Sequence, residues 1–333
     1  MAAQDQEIIL YHYTFSPFAR RIVWYLNLRK IPYTQCLQPP TMPRPDITAL
    51  GTSYRRIPLL SIGRSIYNDT RLILLKLEAF YPPSPAHPSI SSSSALEKLL
   101  ETWAIDGGLF ARAGQLIPSD MSLLNDEKFL KDRQDYTGRS WGREAQEKGR
   151  PEALVEMRRA FGFLEEVVLG DGRVWVEGVG EGPGLADIEA VWVPLWLRDL
   201  KGALPAGYIC ANTFPKTFAW IERFHQHTRG LAQKAGKPKT IKGAEALRIS
   251  SDGEFAEAEG EVDGNDPLGL KKGQEVEVWP VDSGFSYKDR GRLVGLDGNE
   301  VVVEKVNGEG KSVRVHAPRH GFRVRGVKED AKL

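Results

Sequence analysis

Residues 8–28 read IILYHYTFSPFARRIVWYLNL. Ile8–Tyr13 is an apolar and aromatic run of strand length. It is followed at once by a helical pattern, with Phe18, Ile22, Tyr25 and Leu28 recurring on one face. Pro17 suits the first helical turn, where its missing N–H costs nothing, and Ser16 before it is a favoured N-cap. Working outward, residues 33–37 read as a second strand and Ile47–Leu50 as a short helix after the Pro-rich loop PPTMPRP. IPLLSIG and SIYN read as two short strands. TRLILLKLEAF reads as a third helix with Asp69 near its cap. The order is β-α-β-α-β-β-α, and the closing hairpin implies a mixed sheet.

PPSPAHPSISSSS is a linker by composition. Beyond it the pattern is helical, in ALEKLLETWAIDGGLF, PEALVEMRRAFGFLEEVV, DIEAVWVPLWLRDL and PKTFAWIERFHQHTRGLAQKA. Trp103, Trp141, Trp175, Trp192, Trp196 and Trp220 fall here, so a bulky core or an aromatic-lined cleft is expected. Charges from Asp252 to Asp266 are all acidic, which reads as an exposed connector. EVEVWPV, RGRLVGL, EVVVEKV, KSVRVHA and GFRVRGV then read as short strands between Gly and Asn turns. Such strands suggest a small closed barrel of SH3-like or tudor-like type. The expected class is multidomain: α/β, then all-α, then all-β. The boundaries are 1–83, 84–245, an acidic connector at 246–267, and a β-barrel at 268–333. A chain lacking residues 250–333 is expected to fold.

A net charge of +1 gives no reason for wholesale nucleic-acid binding. Two cysteines, Cys36 and Cys210, make no disulfide framework and no Cys-x-x-Cys motif. The N-terminus does not read as a signal peptide, no apolar stretch is long enough to span a membrane, and the cytoplasm is the default expectation. The final AKL resembles a peroxisomal tail only loosely. His225 and His227, two apart on a helix, do not share a face, so no metal site is expected. His316 and His320 with Arg314, Arg319, Arg323 and Arg325, near Phe285, Tyr287 and Phe322, form a basic strip. It suits RNA, a modified peptide or a phosphate-bearing partner, or else is a solvated face.

Three pieces of residues 8–80 together resemble the thioredoxin-like N-terminal domain of glutathione transferases. Ser16-Pro17-Phe18-Ala19-Arg20-Arg21 is similar to the CPFAQR pattern of omega-type members and the SPF pattern of tau-class members. Arg56-Ile57-Pro58 stands where the family has a valine and a cis-proline. Asp69-Thr70-Arg71-Leu72-Ile73 resembles its Glu-Ser-x-x-Ile helix opening. Gly184-Leu185-Ala186-Asp187-Ile188 resembles its Ser/Thr-x-Ala-Asp-Ile box, in which Asp187 is a folding residue. The resemblance covers about 70% of the chain, and is closest to fungal members with a C-terminal extension.

The resemblance implies that Ser16 donates a hydrogen bond to the glutathione thiolate, with Tyr11 and Tyr13 as rival donors. It implies a cis bond before Pro58 and main-chain pairing of the cysteinyl unit with Ile57. Asp69 and Thr70 would receive the γ-glutamyl end, and Arg44, Arg55 or Arg56 the glycyl carboxylate. A hydrophobic electrophile would sit between the first two domains near Tyr13, Trp103, Phe110, Arg112 and Trp192. Conjugation in detoxification or secondary metabolism is the implied chemistry, with glutathione-dependent isomerisation as a variant and a homodimer as the assembly. The other reading is a non-catalytic scaffold whose barrel binds a protein or nucleic acid.

Overall fold

The computed structural model describes residues 3–327, so the AKL tail lies outside the described residues. The first unit comprises β1 (Ile8–His12), α1 (Pro17–Leu28), β2 (Thr34–Leu37), α2 (Pro45–Leu50), β3 (Leu59–Ile62), β4 (Ser65–Asn68) and α3 (Thr70–Phe80). β1 pairs parallel with β2 and antiparallel with β3, and β3 pairs antiparallel with β4. This is the expected thioredoxin-like mixed sheet. α1 starts where it does because Ser16 holds an extended backbone while its Oγ accepts the Ala19 N–H at 3.3 Å, with Pro17 in the first turn.

The helical unit holds α4 (Ala95–Ile105), α5 (Leu109–Gly114), α6 (Glu127–Thr137), α7 (Arg143–Phe163), α8 (Leu185–Asp199) and α9 (Pro215–Ala235). Residues 95–110 are not the one helix that the periodicity suggests. Gly108, at φ +78°, is in the left-handed region that ends α4 and starts α5. Asp187 caps α8 by accepting the Gly184 N–H at 3.1 Å; Gly184 has no side chain to return the bond. The same buried carboxylate accepts the Val176 N–H and the Trp220 indole N–H, each at 2.8 Å, and so ties α8 to α9. Among the described residues no helix is long and apolar enough to cross a membrane.

After α9 the chain returns to the first unit. β5 (Lys239–Thr240) runs parallel to β2, and α10 (Gly243–Asp252) packs on α2. Then come β6 (Glu275–Pro280), β7 (Asp289–Leu296), β8 (Glu300–Val306), β9 (Ser312–Pro318) and β10 (Phe322–Gly326). They follow the order β10-β6-β7-β8-β9, all neighbours antiparallel. Among the described pairings β9 does not close on β10. It lies parallel to β4, with Ile66 opposite Val315 and Tyr67 opposite His316, so ten strands form one continuous sheet. The last five strands therefore extend the first unit's sheet and cover what would be an open edge at β4. Ile9, Leu59 and Ile66 share one apolar core with Val303, Val313 and Val315.

The acidic segment is pinned rather than free. Glu257 accepts from the Tyr67 hydroxyl at 2.8 Å and from Lys76 at 2.6 Å, and the Glu254 carbonyl accepts the Arg64 N–H at 3.0 Å. Its charges are matched by Arg64 before β4, Lys76 of α3 and Arg314 of β9, which composition cannot reveal.

Candidate functional site

Ser16 is 2% exposed at the N-terminus of α1. Its oxygen accepts the Ala19 N–H, which leaves the hydroxyl proton available to donate. Burial pushes the neighbouring Tyr13 hydroxyl up, while Arg133, Arg44 and the Ser16 hydroxyl partly offset it; Tyr13 is a neutral phenol at pH 7. Tyr11 is turned into the core and 1% exposed. Cys36 is buried, and its thiol is pushed up to about 12 by burial and by Asp46, so it is inert as a nucleophile.

The Ile57–Pro58 bond is cis, and Ile57 is 8% exposed. Asp69 caps α3, accepting the Arg71 N–H at 3.1 Å, with its backbone at φ +69°. A non-glycine residue there carries strain on the order of 1–3 kcal/mol, a cost that clusters at ligand sites. Thr70 is buried, and its hydroxyl oxygen accepts from Arg21 at 2.5 Å. Arg21 in turn donates to both oxygens of Glu189 on α8, at 2.6 and 2.5 Å, with both side chains buried. Burial raises the Glu189 carboxyl, and Arg21 pulls it partly back. The site floor is thereby clamped to the helical unit.

The three candidate arginines have separate placements. Arg44 donates to the carbonyls of Pro39 at 2.9 Å, Pro40 at 3.0 Å and Arg55, so it staples the loop before α2. Burial lowers its pKa to about 10. Arg55 lies between the rings of Tyr136 and Tyr287 and pairs with Asp132 at 2.8 Å and Asp135 at 2.5 Å. Arg56 alone reaches Asp69, at 3.6 Å, and also donates to Asp282 and to the Ser283 carbonyl. The loop between β6 and β7 thus reaches the site. So does α6, through Asp132, which accepts the Met42 N–H at 2.8 Å. Neither contribution was foreseen. The N-cap Asp126 could have marked α6, but no local signal links residue 282 to residue 56.

Of the five residues expected around an electrophile, Tyr13 packs against Phe15, with ring centroids 4.7 Å apart. Phe110 packs against Phe18, Trp192 and Trp196, with ring centroids 4.8–5.5 Å apart. Trp192 has no exposed surface, and Trp103 packs on Phe163. Phe110 and Trp192 meet Phe18 of α1 across the seam between the first two units, whereas Trp103 and Phe163 pack within the helical unit. Arg112 lines a cavity of about 370 Å³ with Gly107, Gly108, Leu109 and Glu156.

The basic strip is largely paired. Arg314 meets Glu259, Arg319 meets Asp266 at 2.9 Å, His320 meets Asp106 at 3.2 Å, and His316 meets Glu300 at 3.0 Å. Glu257, Glu300 and His316 converge closely enough to suit a metal ion, but the Lys76 ammonium lies 2.6 and 2.7 Å from the two carboxylates and supplies the positive charge there.

Residues 10–85 match the family described as glutathione S-transferase, N-terminal domain. An Arabidopsis thaliana protein named glutathione S-transferase U1 is 23% identical over 226 residues, 68% of this chain and 88% of its own length. A crystal structure of a GST-like protein from Pseudomonas syringae is 25% identical with a TM-score of 0.67, spanning 97% of this chain and 100% of that one. Residues 10–85 are a glutathione S-transferase N-terminal domain, and the chain as a whole is similar to proteins of that superfamily. The Pseudomonas likeness spans nearly the whole chain, so this transferase-like architecture, C-terminal strands included, is not peculiar to one sequence. A tau-class glutathione S-transferase from mango is similar at 16% identity and a TM-score of 0.47, covering 69% of this chain and 97% of its own. Residues 112–233 match a domain of unknown function designated DUF7962.

Proposed function

We propose that this protein binds glutathione and conjugates it to a hydrophobic electrophile, with Ser16 stabilising the glutathione thiolate. The observation that carries the reading is a set of three features in the expected chain order. It comprises Ser16 with a free hydroxyl proton at a helix N-terminus, the cis Ile57–Pro58 step, and the strained Asp69 ahead of Thr70. A free thiol has a pKa of about 8.5, and each unit of depression requires about 1.4 kcal/mol of preference for thiolate. A hydroxyl donor and a helix N-terminus are each able to supply that much.

In this reading the Ile57 main chain pairs with the cysteinyl unit. Asp69 takes the α-ammonium of the γ-glutamyl end. The Thr70 hydroxyl, whose proton Arg21 leaves free, and the first amides of α3 take the adjacent carboxylate. Arg44 is committed to its loop and Arg56 stands between Asp69 and Asp282, so we place neither at the glycyl carboxylate. The thiolate then attacks the electrophilic carbon, forming a C–S bond as the leaving group departs with its electron pair. Isomerisation would use the same thiolate, adding and then eliminating. We place this activity in the cytoplasm. The docked C-terminal strands and their paired cations favour this reading over a scaffold that presents a free basic module.

The test separates Ser16's two roles. Ser16→Gly removes the hydroxyl while weakening the helix cap by only a few tenths of a kcal/mol. The expected result is a fall of roughly ten- to a hundredfold in kcat/KM with an activated aryl halide, while glutathione still binds, corresponding to about 1.4–2.7 kcal/mol. An unchanged rate would remove Ser16 from the mechanism.

A further inference from the structure

We propose that Asp282, in the loop between β6 and β7, is a positioning residue of the glutathione site: it holds the Arg56 guanidinium back from Asp69, so that Asp69 remains able to receive the ligand's α-ammonium. The inference rests on the glutathione reading above and assigns a role to the C-terminal strands within it.

One guanidinium lies between two carboxylates from units far apart in sequence. On the loop side the contact is close and multiple: Arg56 Nη2 donates to Asp282, and Nε and Nη2 donate to the Ser283 carbonyl at 3.2 and 2.8 Å. On the site side only Nη1 faces Asp69, at 3.6 Å, beyond hydrogen-bond range. Asp69 Oδ1 accepts the Arg71 N–H, which orients the carboxylate, and the opposite oxygen is the one left facing Arg56. A carboxylate locked in a bidentate guanidinium pair has little left for a second cation. Held at arm's length, it keeps acceptor capacity for an ammonium.

Asp282 is otherwise expendable to the fold. Its side chain is 66% exposed, and its described polar contact is Arg56. Loss of its charge should leave Arg56 with Asp69 as its one carboxylate, draw the guanidinium inward, and set it in competition with the ligand's ammonium.

The experiment is calorimetry on the full chain with two ligands: glutathione, and its deaminated analogue, glutaryl-cysteinylglycine, which lacks only the α-amino group. Asp282→Asn should weaken glutathione five- to tenfold and leave the analogue unchanged or slightly tighter. Asp282→Glu should restore most of the loss. In an Arg56→Ala background Asp282→Asn should have no further effect, because its influence passes through Arg56. Equal weakening of both ligands would mean a merely structural role and would overturn the proposal, as would no weakening at all. If the wild-type protein binds no glutathione, the proposed function falls and this inference falls with it. If the wild type binds and Asp282→Asn binds equally well, this inference alone is wrong.

Discussion

Replacing Arg21 with Met keeps the volume of α1's inward face but removes the cation from a pair in which Arg21 is 0% exposed and Glu189 2%. Glu189 would then be an uncompensated carboxylate buried against α1, and Thr70 would lose its guanidinium donor. Breaking one side of a buried pair costs about 3–5 kcal/mol, a large share of the roughly 5–15 kcal/mol that a folded protein has in hand. The assay is urea unfolding followed by tryptophan fluorescence, with Trp192 directly over Arg21. The loss should depend on pH. In the variant Glu189's folded pKa lies further above its unfolded value of about 4.3, so the penalty is full well above the folded pKa and fades as pH falls toward the unfolded one. The gap between variant and wild type should therefore narrow from pH 7 to pH 4. Adding Glu189→Leu should recover most of the stability at neutral pH. A loss below about 1 kcal/mol, or one that does not change with pH, would refute the claim that this buried pair clamps the site to the helical unit.

Asp187→Ala leaves the Val176 and Gly184 N–H groups and the Trp220 indole without their acceptor. At about 1–3 kcal/mol per orphaned buried donor, the helical unit should lose several kcal/mol; a thermal shift of only a degree or two would contradict the count. For Glu300, burial pushes the carboxyl up, but His316 and Lys76 more than offset this and hold it below the usual range. The stability it contributes is present above its unfolded pKa and fades as pH falls through the lower folded one, so hydrogen exchange at β4 and β9 should accelerate below about pH 4. Glu300→Gln should remove that step, and an unaltered acid profile would count against the network. A chain ending at residue 267 uncovers the β4 edge and the core around Ile66. It should aggregate or bind a hydrophobic dye, and a monodisperse, cooperatively unfolding product would show that the strands are dispensable.

What the sequence made legible was what is encoded locally. The Ser16-Pro17 start of α1, the Asp69 cap and the Thr70–Phe80 span of α3 all follow from capping and spacing rules acting within a few residues. Asp187's folding role was legible too, because its partner Gly184 is three positions away. The pairing of β4 with β9 was not, since it joins residues some 250 apart and leaves no periodic trace in either strand. That long-range contact changes the meaning of the C-terminal strands from an appended module to the flank of the first sheet. Arginine use was equally hidden. Arg44 and Arg56 look interchangeable in sequence, yet one is spent on carbonyls and the other stands between Asp69 and Asp282. Trp175, Trp192 and Trp220 join the bulky core that composition suggested, while Trp103, Trp141 and Trp196 are partly exposed; composition could not say that Phe110 and Trp192 meet Phe18 across the seam.

Glutathione binding to the purified full chain, measured by calorimetry across pH and in buffers of different ionisation enthalpy, tests the central claim most directly. The account predicts saturable binding below millimolar ligand, with proton release near pH 7 as the thiol ionises, and loss of that release in Ser16→Gly. No binding at millimolar glutathione, or binding with the thiol still protonated and Ser16→Gly indistinguishable from wild type, would contradict it.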